Sequence, residues 1–516
     1  MDTNDLRQLD AFVTNPGGSV YCIKNLPEEV VAVLFAYVSR NPDSIQLNLL
    51  KMLQQQNGDG AIDPAMFDLF DLASEKAAKF HEKWVVGYGH ASVAEHAVLH
   101  YGIEGISILA TKVLEDARLA AYTEKSTRYQ FFGKDTFYLP ESLEQYRPDM
   151  NRLMEDYRNL FGEVYARLEE KYPPKEDLND EGKAYFAALK AQTCDAVRGL
   201  LPAGTKTMLG MTVNAREAAY VISKLLSNPL QECQDLGREM LAEGRKVCPT
   251  LFRHAEASDA LKEFSDHVYH TPRADYLFED SKLPALKRNE VKLIRSWPDS
   301  GDATEFLSRA ERYEHSNAPM EAMANCRVED LKTLAACDGG HLNRIRQIMN
   351  MDAHAAPPRF FELMRFVFEI TCDYGAFRDI QRHRIGTQLS PLFTASLGYE
   401  VPEEILNLGL QPLYAAAIER VKKAYLSACE GSGFTDCQYL LPMAFRKRLL
   451  VDWDLREVIH FIRLRSGPQG HISYRKIAWS MRDQILAKFP ELEPFVTADT
   501  NEYPLGRMAA YVSETE

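Results

Sequence analysis

The densest polar segment of the chain is Arg118-Leu-Ala-Ala-Tyr-Thr-Glu124-Lys-Ser126-Thr-Arg128-Tyr129. Glu124, Ser126 and Arg128 alternate, so an extended backbone would direct all three side chains to one side. That side would offer a carboxylate, a hydroxyl and the planar donor fork of a guanidinium, which together suit an anionic small molecule. A surface strand with paired charges explains the same spacing, and the residues alone leave both interpretations open.

A second cluster, Arg378-Asp-Ile-Gln-Arg382-His383-Arg384, is basic. Two arginines that flank a histidine can bind a phosphate through bidentate hydrogen bonds or stack on an electron-rich ring. The same residues could instead form a helix end whose cations satisfy the last backbone carbonyls. Alone, the Arg-His-Arg triplet is therefore a weak indication of binding.

The elements that must position these clusters are mainly helical. Apolar residues recur at i, i+3 and i+4 spacing, which predicts helices, over 30–37, 103–114, 218–226, 363–370 and 458–464. Short apolar stretches before proline-containing turns predict strands at 20–23 and 291–294.

The two halves of the chain repeat the same landmarks in the same order. Leu-Leu-Pro at 200–202 recurs at 440–442, and Asn-Ala-Arg-Glu at 214–217 corresponds to Asp-Leu-Arg-Glu at 454–457, both at an offset of 240 residues. Upstream, His-Ala-Ser-Val-Ala-Glu-His at 90–96 has a looser counterpart at 354–362, at an offset of 264 to 266. The shared order predicts a duplicated domain of about 230 residues. The alternative is that the landmarks recur by chance, as residues that commonly begin and end helices.

In combination these motifs resemble the flavin-dependent thymidylate synthases of the ThyX type, whose signature is Arg-His-Arg, seven residues and then Ser, within a run that ends Glu-x-Ser-x-Arg-Tyr. Here the signature is divided between the halves. The first half has Glu124-x-Ser126-x-Arg128-Tyr129, but Asp116-Ala117 replaces Arg-His. The second half has an intact Arg-His-Arg at 382–384, followed only by the degraded Thr-x-Ser-x-Gly-Tyr at 394–399.

The downstream motifs divide in the same way. The first half keeps Arg198 before its Leu-Pro, whereas the second half has Gln438 there. At the position where the family places a substrate-activating arginine, the first half has Leu225 and the second half has Arg465. The resemblance covers nearly the whole chain as two diverged copies.

The resemblance implies an α+β fold of two tandem ThyX-like modules, at 18–255 and 286–516, joined by a linker at 256–285. Each module is expected to be a central helical bundle with a small antiparallel sheet. It also implies reductive methylation of dUMP to dTMP at C5, with FAD as cofactor and with NADPH and methylenetetrahydrofolate as co-substrates. Since the family assembles four modules, two chains of two modules would form a homodimer.

The resemblance further implies one composite site to which each module contributes one wall. Arg465 would polarise the uracil, and Ser126 is the second residue assigned to catalysis. The positions expected to contact dUMP are Glu124, Ser126, Arg128, Tyr129, Arg198, Arg382 and Arg465. The positions expected to contact FAD are His90, Ser92, Glu95, Arg118, Asn214, Arg216, Arg382, His383, Arg384 and His460. No His/Glu spacing indicates a metal site.

Composition narrows the classes of function. The 516 residues carry a formal net charge of −14, which argues against generic binding of nucleic acid or anionic membranes. Nine cysteines without a Cys-x-x-Cys pair indicate neither a disulfide framework nor a zinc ribbon, and fit a reducing, cytoplasmic compartment. No apolar stretch approaches the length of a membrane helix. Cys437, in an Asp-Cys-Gln segment, is interpreted as structural rather than nucleophilic.

Three functions remain open at this point. The first is C5 methylation of dUMP. The second is a related flavin-dependent modification of another pyrimidine nucleotide, since the family positions at Asp116, Ala117, Leu225, Gln438 and Asp454 have changed. The third is a catalytically inactive scaffold that binds nucleotide or flavin.

Overall fold

A computed structural model describes most of the chain. The described residues are 3–19, 21–37, 43–54, 91–134, 136–175, 182–253, 255–270, 289–314, 345–349, 355–432, 434–503 and 508. The chain divides into two compact units. The first comprises Met1–Lys125 and Lys206–Thr271, and the second comprises Ser126–Thr205 and Pro272–Glu516.

The first unit contains a three-stranded antiparallel sheet in the order β1-β3-β2. Its strands are β1 (Val98–Ser107), β2 (Ala120–Glu124) and β3 (Lys206–Asn214). Its helices are α1 (Thr3–Asp10), α2 (Glu28–Tyr37), α3 (Ile45–Gln54), α4 (Ile108–Leu114), α7 (Ala215–Leu226), α8 (Gln231–Val247) and α9 (Asp259–His270), with a 3-10 turn at Ala91–His96.

The second unit contains a four-stranded antiparallel sheet in the order β4-β5-β7-β6. Its strands are β4 (Glu290–Trp297), β5 (Arg365–Asp373), β6 (Thr387–Leu389) and β7 (Arg446–Asp454). Its helices are α5 (Arg147–Lys171), α6 (Gly182–Val197), α10 (Ala303–Glu314), α11 (Tyr374–Gln381), α12 (Glu403–Asn407), α13 (Gln411–Ser432), α14 (Phe434–Cys437), α15 (Leu455–Ser466) and α16 (Ile472–Lys488). Its 3-10 turns are Glu141–Tyr146, Arg198–Leu200, Arg359–Leu363, Gln438–Leu440 and Pro490–Leu492.

The repeat seen in the sequence is a repeat of structure. In each sheet the strand order β1-β3-β2 recurs as β5-β7-β6, and β3 followed by α7 recurs as β7 followed by α15 at the same offset of 240 residues. β1 runs directly into α4 as β5 runs into α11. Corresponding strands therefore occupy the same place in their sheets, and corresponding helices follow the same strands.

One buried polar pair shows how closely the repeats correspond. In the first unit the Ser107 hydroxyl, at the N-cap of α4, donates to the Glu232 carboxylate at 2.5 Å. In the second unit the Asp373 carboxylate, at the N-cap of α11, accepts from the Ser473 hydroxyl. Hydroxyl and carboxylate have exchanged positions, so each helix N-terminus keeps a side-chain cap and each carboxylate keeps a donor.

One helix prediction is wrong and another is only partly confirmed, and both errors occur at strands. The stretch 363–370 lies mostly in β5, where Phe366, Phe368 and Ile370 are fully buried in alternation. The stretch 103–114 is divided between the end of β1 and α4. A strand that is covered on one face by large apolar residues can satisfy the i, i+4 spacing as well as a helix does.

The other element predictions have mixed outcomes. The helices predicted at 30–37, 218–226 and 458–464 are confirmed as parts of α2, α7 and α15, and the strand at 291–294 is confirmed within β4. At 20–23 the described residues form only an isolated bridge between Val13 and Ile23. The α+β fold with two small antiparallel sheets is confirmed. The module boundaries at 18–255 and 286–516 stay a prediction, and α9 lies within the predicted linker.

Candidate functional site

Residues of the two repeats are brought together in the second unit by the two Leu-Leu-Pro segments. These segments pair with each other: the N–H of Ala203 donates to the carbonyl of Leu441 at 2.8 Å, and the N–H of Met443 donates to the carbonyl of Leu201 at 2.9 Å. The two bonds are related by the offset of 240 residues. The pairing places Arg198, which precedes the first segment, beside α11 of the second repeat, where Gly375 leaves room: a Cβ there would lie 3.2 Å from the guanidinium carbon of Arg198.

Four arginines surround the carboxylate of Asp379 on α11. Nη1 of Arg198 and Nη1 of Arg465 each lie 3.7 Å from an Asp379 oxygen. Burial alone would raise the pKa of this carboxyl, but the charges of Arg198, Arg465, Arg382 and Arg128 outweigh burial and lower the pKa to about 2. Two of these arginines come from the first repeat and two from the second, and all four were predicted to contact nucleotide.

Arg128 is held by a second carboxylate, that of Asp195 on α6. Its Nε and Nη2 donate to the two Asp195 oxygens at 2.8 and 2.9 Å, and its Nη1 donates to the hydroxyl of Tyr474 at 2.6 Å. Burial raises the pKa of Asp195, and the paired Arg128 guanidinium more than reverses that effect. Arg128 thus contributes a fixed positive charge whose donors already have protein partners.

Arg198 differs, because one nitrogen of its guanidinium is without a hydrogen bond to the described residues. The side chain is buried, and its Nη2 makes no hydrogen bond within the part of the chain that the structure describes. A buried, charged donor without an acceptor is costly, so this nitrogen is suited to an oxygen of a bound anion. Arg198 also lines a cavity of about 860 Å³, together with Asp195, Tyr414 and His471.

Arg465, on the last turn of α15, connects Asp379 to a buried histidine. Its Nη2 donates to the Asp379 carbonyl at 2.8 Å and its Nε donates to Nε2 of His383 at 2.9 Å. Nδ1 of His383 lies 2.8 Å from the Glu457 carboxylate. Burial, reinforced by the charge of Arg465, holds the pKa of His383 well below its ordinary value, so the imidazole is neutral.

Glu457 also lines a cavity of about 1110 Å³. Glu457, His460 and Arg463 line it, as do Arg359 and Arg456. Arg463 donates to the hydroxyl of Thr497 at 3.2 Å and forms no ion pair among the described residues. Its burial without a carboxylate lowers its pKa. The cavity is large enough for a dinucleotide cofactor, and Arg463 is a cation available to a diphosphate.

The remaining predicted nucleotide contacts lie in different surroundings. Glu124 belongs to the first unit, where its buried carboxylate lies 3.8 Å from Nζ of Lys112. The backbone turns at 127–129 instead of continuing the strand, so the predicted alternation of side chains does not form. The Ser126 hydroxyl accepts from the N–H of Arg128 at 3.2 Å, and Tyr129 is exposed.

The predicted flavin contacts fall into two groups. Arg382 and His460 are exposed, Arg384 is half-buried and His383 is buried, and all four belong to the second unit. Ser92, Glu95, Arg118, Asn214 and Arg216 belong to the first unit, where Glu95 and Arg216 form a surface ion pair and Asn214 caps α7. His90 lies outside the described residues.

Sequence reasoning missed the carboxylates of the site. Asp195, Asp379 and Glu457 were not singled out, although each contacts a predicted site residue. The available signal was weak: Asp379 lies within the Arg378–Arg384 cluster, and Glu457 follows the Asp-x-Arg landmark. Arg463 was missed because it has no counterpart in any of the motifs.

Taken together, these features define an α+β protein whose arginine-lined site can hold a small anion beside a large second cavity. The family model described as "Thymidylate synthase complementing protein" matches residues 29–250 and again 292–491. The chain belongs to this family and contains two copies of its characteristic region. Among the described residues, no helix has the length and apolar character required to cross a bilayer.

The relatives fall into two groups. A "UPF0159 protein" of Chlamydia muridarum is 32% identical over 97% of this chain and 96% of its own length. A "UPF0159 protein" of Chlamydia pneumoniae is 32% identical over 97% of this chain and 95% of its own length. A "Flavin-dependent thymidylate synthase" of Thermococcus onnurineus is 32% identical, but over 34% of this chain and 66% of its own length. The duplicated architecture is thus similar to the first group, and one part of the chain is similar to a named synthase.

Proposed function

We propose that the protein is an FAD-dependent thymidylate synthase that converts dUMP to dTMP by reductive methylation at C5, at a composite site in the second unit. The observation that carries this proposal is the cluster of Arg128, Arg198, Arg382 and Arg465, drawn from both repeats, around Asp379. Similarity to flavin-dependent thymidylate synthases supports the choice of reaction. Methylenetetrahydrofolate would supply the carbon and NADPH would reduce the flavin.

The charge of the cluster fits a nucleoside monophosphate. Its four guanidinium groups and the carboxylates of Asp195 and Asp379 leave a surplus of two positive charges. A phosphate monoester carries between one and two negative charges at neutral pH. Nη2 of Arg198 is the buried donor that would donate a hydrogen bond to a phosphate oxygen, while Arg128 adds charge without direct bonding.

Arg465 would act on the pyrimidine ring. A guanidinium stays charged at any working pH, so it can stabilise a developing anion at N3 without losing a proton. Nη1 of Arg465 lies 3.7 Å from Asp379 and makes no shorter polar contact with the described residues, whereas its Nε and Nη2 are hydrogen-bonded to protein. Nη1 of Arg465 is therefore the nitrogen that would donate to the substrate.

The residues around the cavity of about 1110 Å³ fit FAD. Arg463 and His460 would hold the diphosphate and the ring system there, with His460 exposed in the cavity wall. When bound, FAD would supply the reducing equivalents that convert the one-carbon unit to a methyl group. We also propose that the protein works in the cytoplasm as a homodimer, by comparison with the four-module assembly of the family.

The decisive experiment is to record the flavin absorbance of the purified protein and to measure dTMP formation from dUMP, methylenetetrahydrofolate and NADPH. Arg198→Met should abolish dUMP binding, since it removes the unpartnered donor. Arg152→Met is the matched control, because Arg152 forms an exposed helical ion pair with Glu155. A yellow protein that binds dUMP but forms a different C5 product would favour the second candidate activity. A protein that does not bind dUMP, or that does not bind flavin, would refute the proposal.

A further inference from the structure

A line of hydrogen bonds runs from the Glu457 carboxylate through the His383 ring to the Arg465 guanidinium. The two links are 2.8 Å from Glu457 Oε1 to Nδ1 of His383 and 2.9 Å from Nε2 of His383 to Nε of Arg465. Glu457 lies in the first turn of α15 and Arg465 lies in its last turn. His383 follows the end of α11 and bridges the two ends of α15.

The chemistry of the groups fixes the position of the histidine proton. A guanidinium can only donate, so Nε2 of His383 must be the unprotonated nitrogen that accepts from Arg465. The single ring proton of a neutral imidazole then lies on Nδ1 and is donated to Glu457. Glu457 therefore selects the tautomer that is able to hold Arg465.

Packing leaves the ring little freedom to choose another partner. The His383 ring lies 4.9 Å from that of Phe461 in an edge-to-face contact, 5.8 Å from that of Trp453 and 5.6 Å from that of His460. His383 itself is 5% exposed. Loss of the Glu457 bond would thus leave a buried ring donor unsatisfied and would favour the other tautomer, which releases Arg465 because two donors would then face each other.

We propose that Glu457 is a positioning residue, which orients Arg465 toward the bound nucleotide by fixing the tautomer of His383. This inference rests on the proposed nucleotide site, because it concerns how that site is held. The first repeat supports it by contrast. Its matching positions keep Glu217 but have Ala117 and Leu225 in place of the histidine and the arginine, so only the second repeat has the complete line.

The carboxyl group at the end of the line titrates near neutral pH. Burial raises the pKa of Glu457 to about 7, and His460 and Arg465 limit the rise. The charged and titratable groups around Glu457 and His383 are Asp454 at the N-cap of α15, His460 and Arg465 on α15, Asp379 on α11, Arg384 shortly after α11, and Glu362 with Arg456 beside the N-terminus of α15. Above about pH 7 the carboxylate accepts the Nδ1 proton, and below it the protonated form accepts less well.

The test compares Glu457→Gln and Glu457→Met by calorimetric titration of the full-length protein with dUMP between pH 6 and pH 8. Gln can still accept from Nδ1, so it should bind dUMP as the wild type does at pH 8. Met has a similar volume but no acceptor, and should bind roughly 10- to 100-fold more weakly. Glu217→Met, at the same helical position of the first repeat, should leave binding unchanged.

The pH profile separates positioning from general stability. Wild-type affinity should fall below pH 7 more steeply than that of Glu457→Gln, in which only the phosphate of dUMP titrates. Equal affinity of wild type and Glu457→Met at every pH would overturn the inference.

The tautomer of His383 can be measured without dUMP. If the wild type binds no dUMP, the proposed function is refuted, but the role of Glu457 in fixing the tautomer is still tested. ¹⁵N-histidine NMR should show the Nδ1–H tautomer of His383 in the wild type and in Glu457→Gln, with the other tautomer populated in Glu457→Met. An unchanged tautomer in Glu457→Met would overturn the inference by this route.

Discussion

Asp379→Asn should destabilise the protein measurably although it conserves shape. The four arginines around Asp379 lower its pKa from 3.8 to about 2, and a shift of just under two pH units corresponds to about 2 kcal/mol. A carboxyl whose pKa is depressed on folding stabilises the folded state above its unfolded pKa, near 3.8, and loses that effect as pH falls toward 2. At pH 7 the variant, which mimics the protonated side chain, should therefore unfold about 2 kcal/mol more easily.

The assay is urea unfolding at pH 7, followed by tryptophan fluorescence, beside the control Asp116→Asn. Asp116 occupies the position in the first repeat that matches Arg382, and it forms an exposed ion pair with Lys224. An exposed pair contributes only about 0–1 kcal/mol, so the control should unfold nearly as the wild type does. Equal stability of Asp379→Asn and wild type would show that the arginines do not depend on Asp379 for charge balance.

The other predictions concern the division of roles between the repeats. Arg465→Ala should lower the rate of dTMP formation by roughly 10²–10³, equivalent to about 3–4 kcal/mol of barrier, while the flavin spectrum is kept; near-normal steady-state turnover would contradict its role. Arg128→Ala should abolish activity and also cost about 3–5 kcal/mol of stability, because Asp195 is left buried without its cation; a normal thermal midpoint would argue against this. Arg384→Ala should abolish activity, whereas Thr394→Ala, in the degraded second motif, should be mild, and equal losses in the same activity assay would contradict the composite site.

The sequence allowed the repeat to be predicted better than its secondary structure. Offsets between landmarks depend only on residue identity, and the structure reproduces them in β3 with α7 and in β7 with α15. Helical spacing misled at β5, because Phe366 and Phe368 alternate while Ile370 also completes an i, i+4 pair with Phe366. The distinction between the two periods depends on which face packs against other elements, and that is a tertiary property.

The arginines of the candidate site could be predicted, whereas their partners could not. Motif resemblance pointed to Arg128, Arg198 and Arg465, and the structure places all three around Asp379. Nothing local distinguishes Asp195, in the last turn of α6, from a surface carboxylate; its role depends on Arg128, 67 residues away. The turn at 127–129 likewise ends the extended segment on which the predicted alignment of Glu124, Ser126 and Arg128 depended.

The residues at matching positions of the two repeats differ in two ways, and the comparison supports a single composite site. Where a polar group serves the fold, the repeats keep the function of the pair even when its members exchange, as Ser107 with Glu232 and Asp373 with Ser473 do. Where the proposed chemistry needs a guanidinium, no such exchange occurs: Leu225 in the first repeat is buried and apolar at the position of Arg465. Replacing a buried leucine by a charged side chain would destabilise the fold. Position 225 of the first repeat therefore serves packing and does not bind substrate. The second repeat must therefore supply Arg465, together with the His383 and Glu457 that hold it.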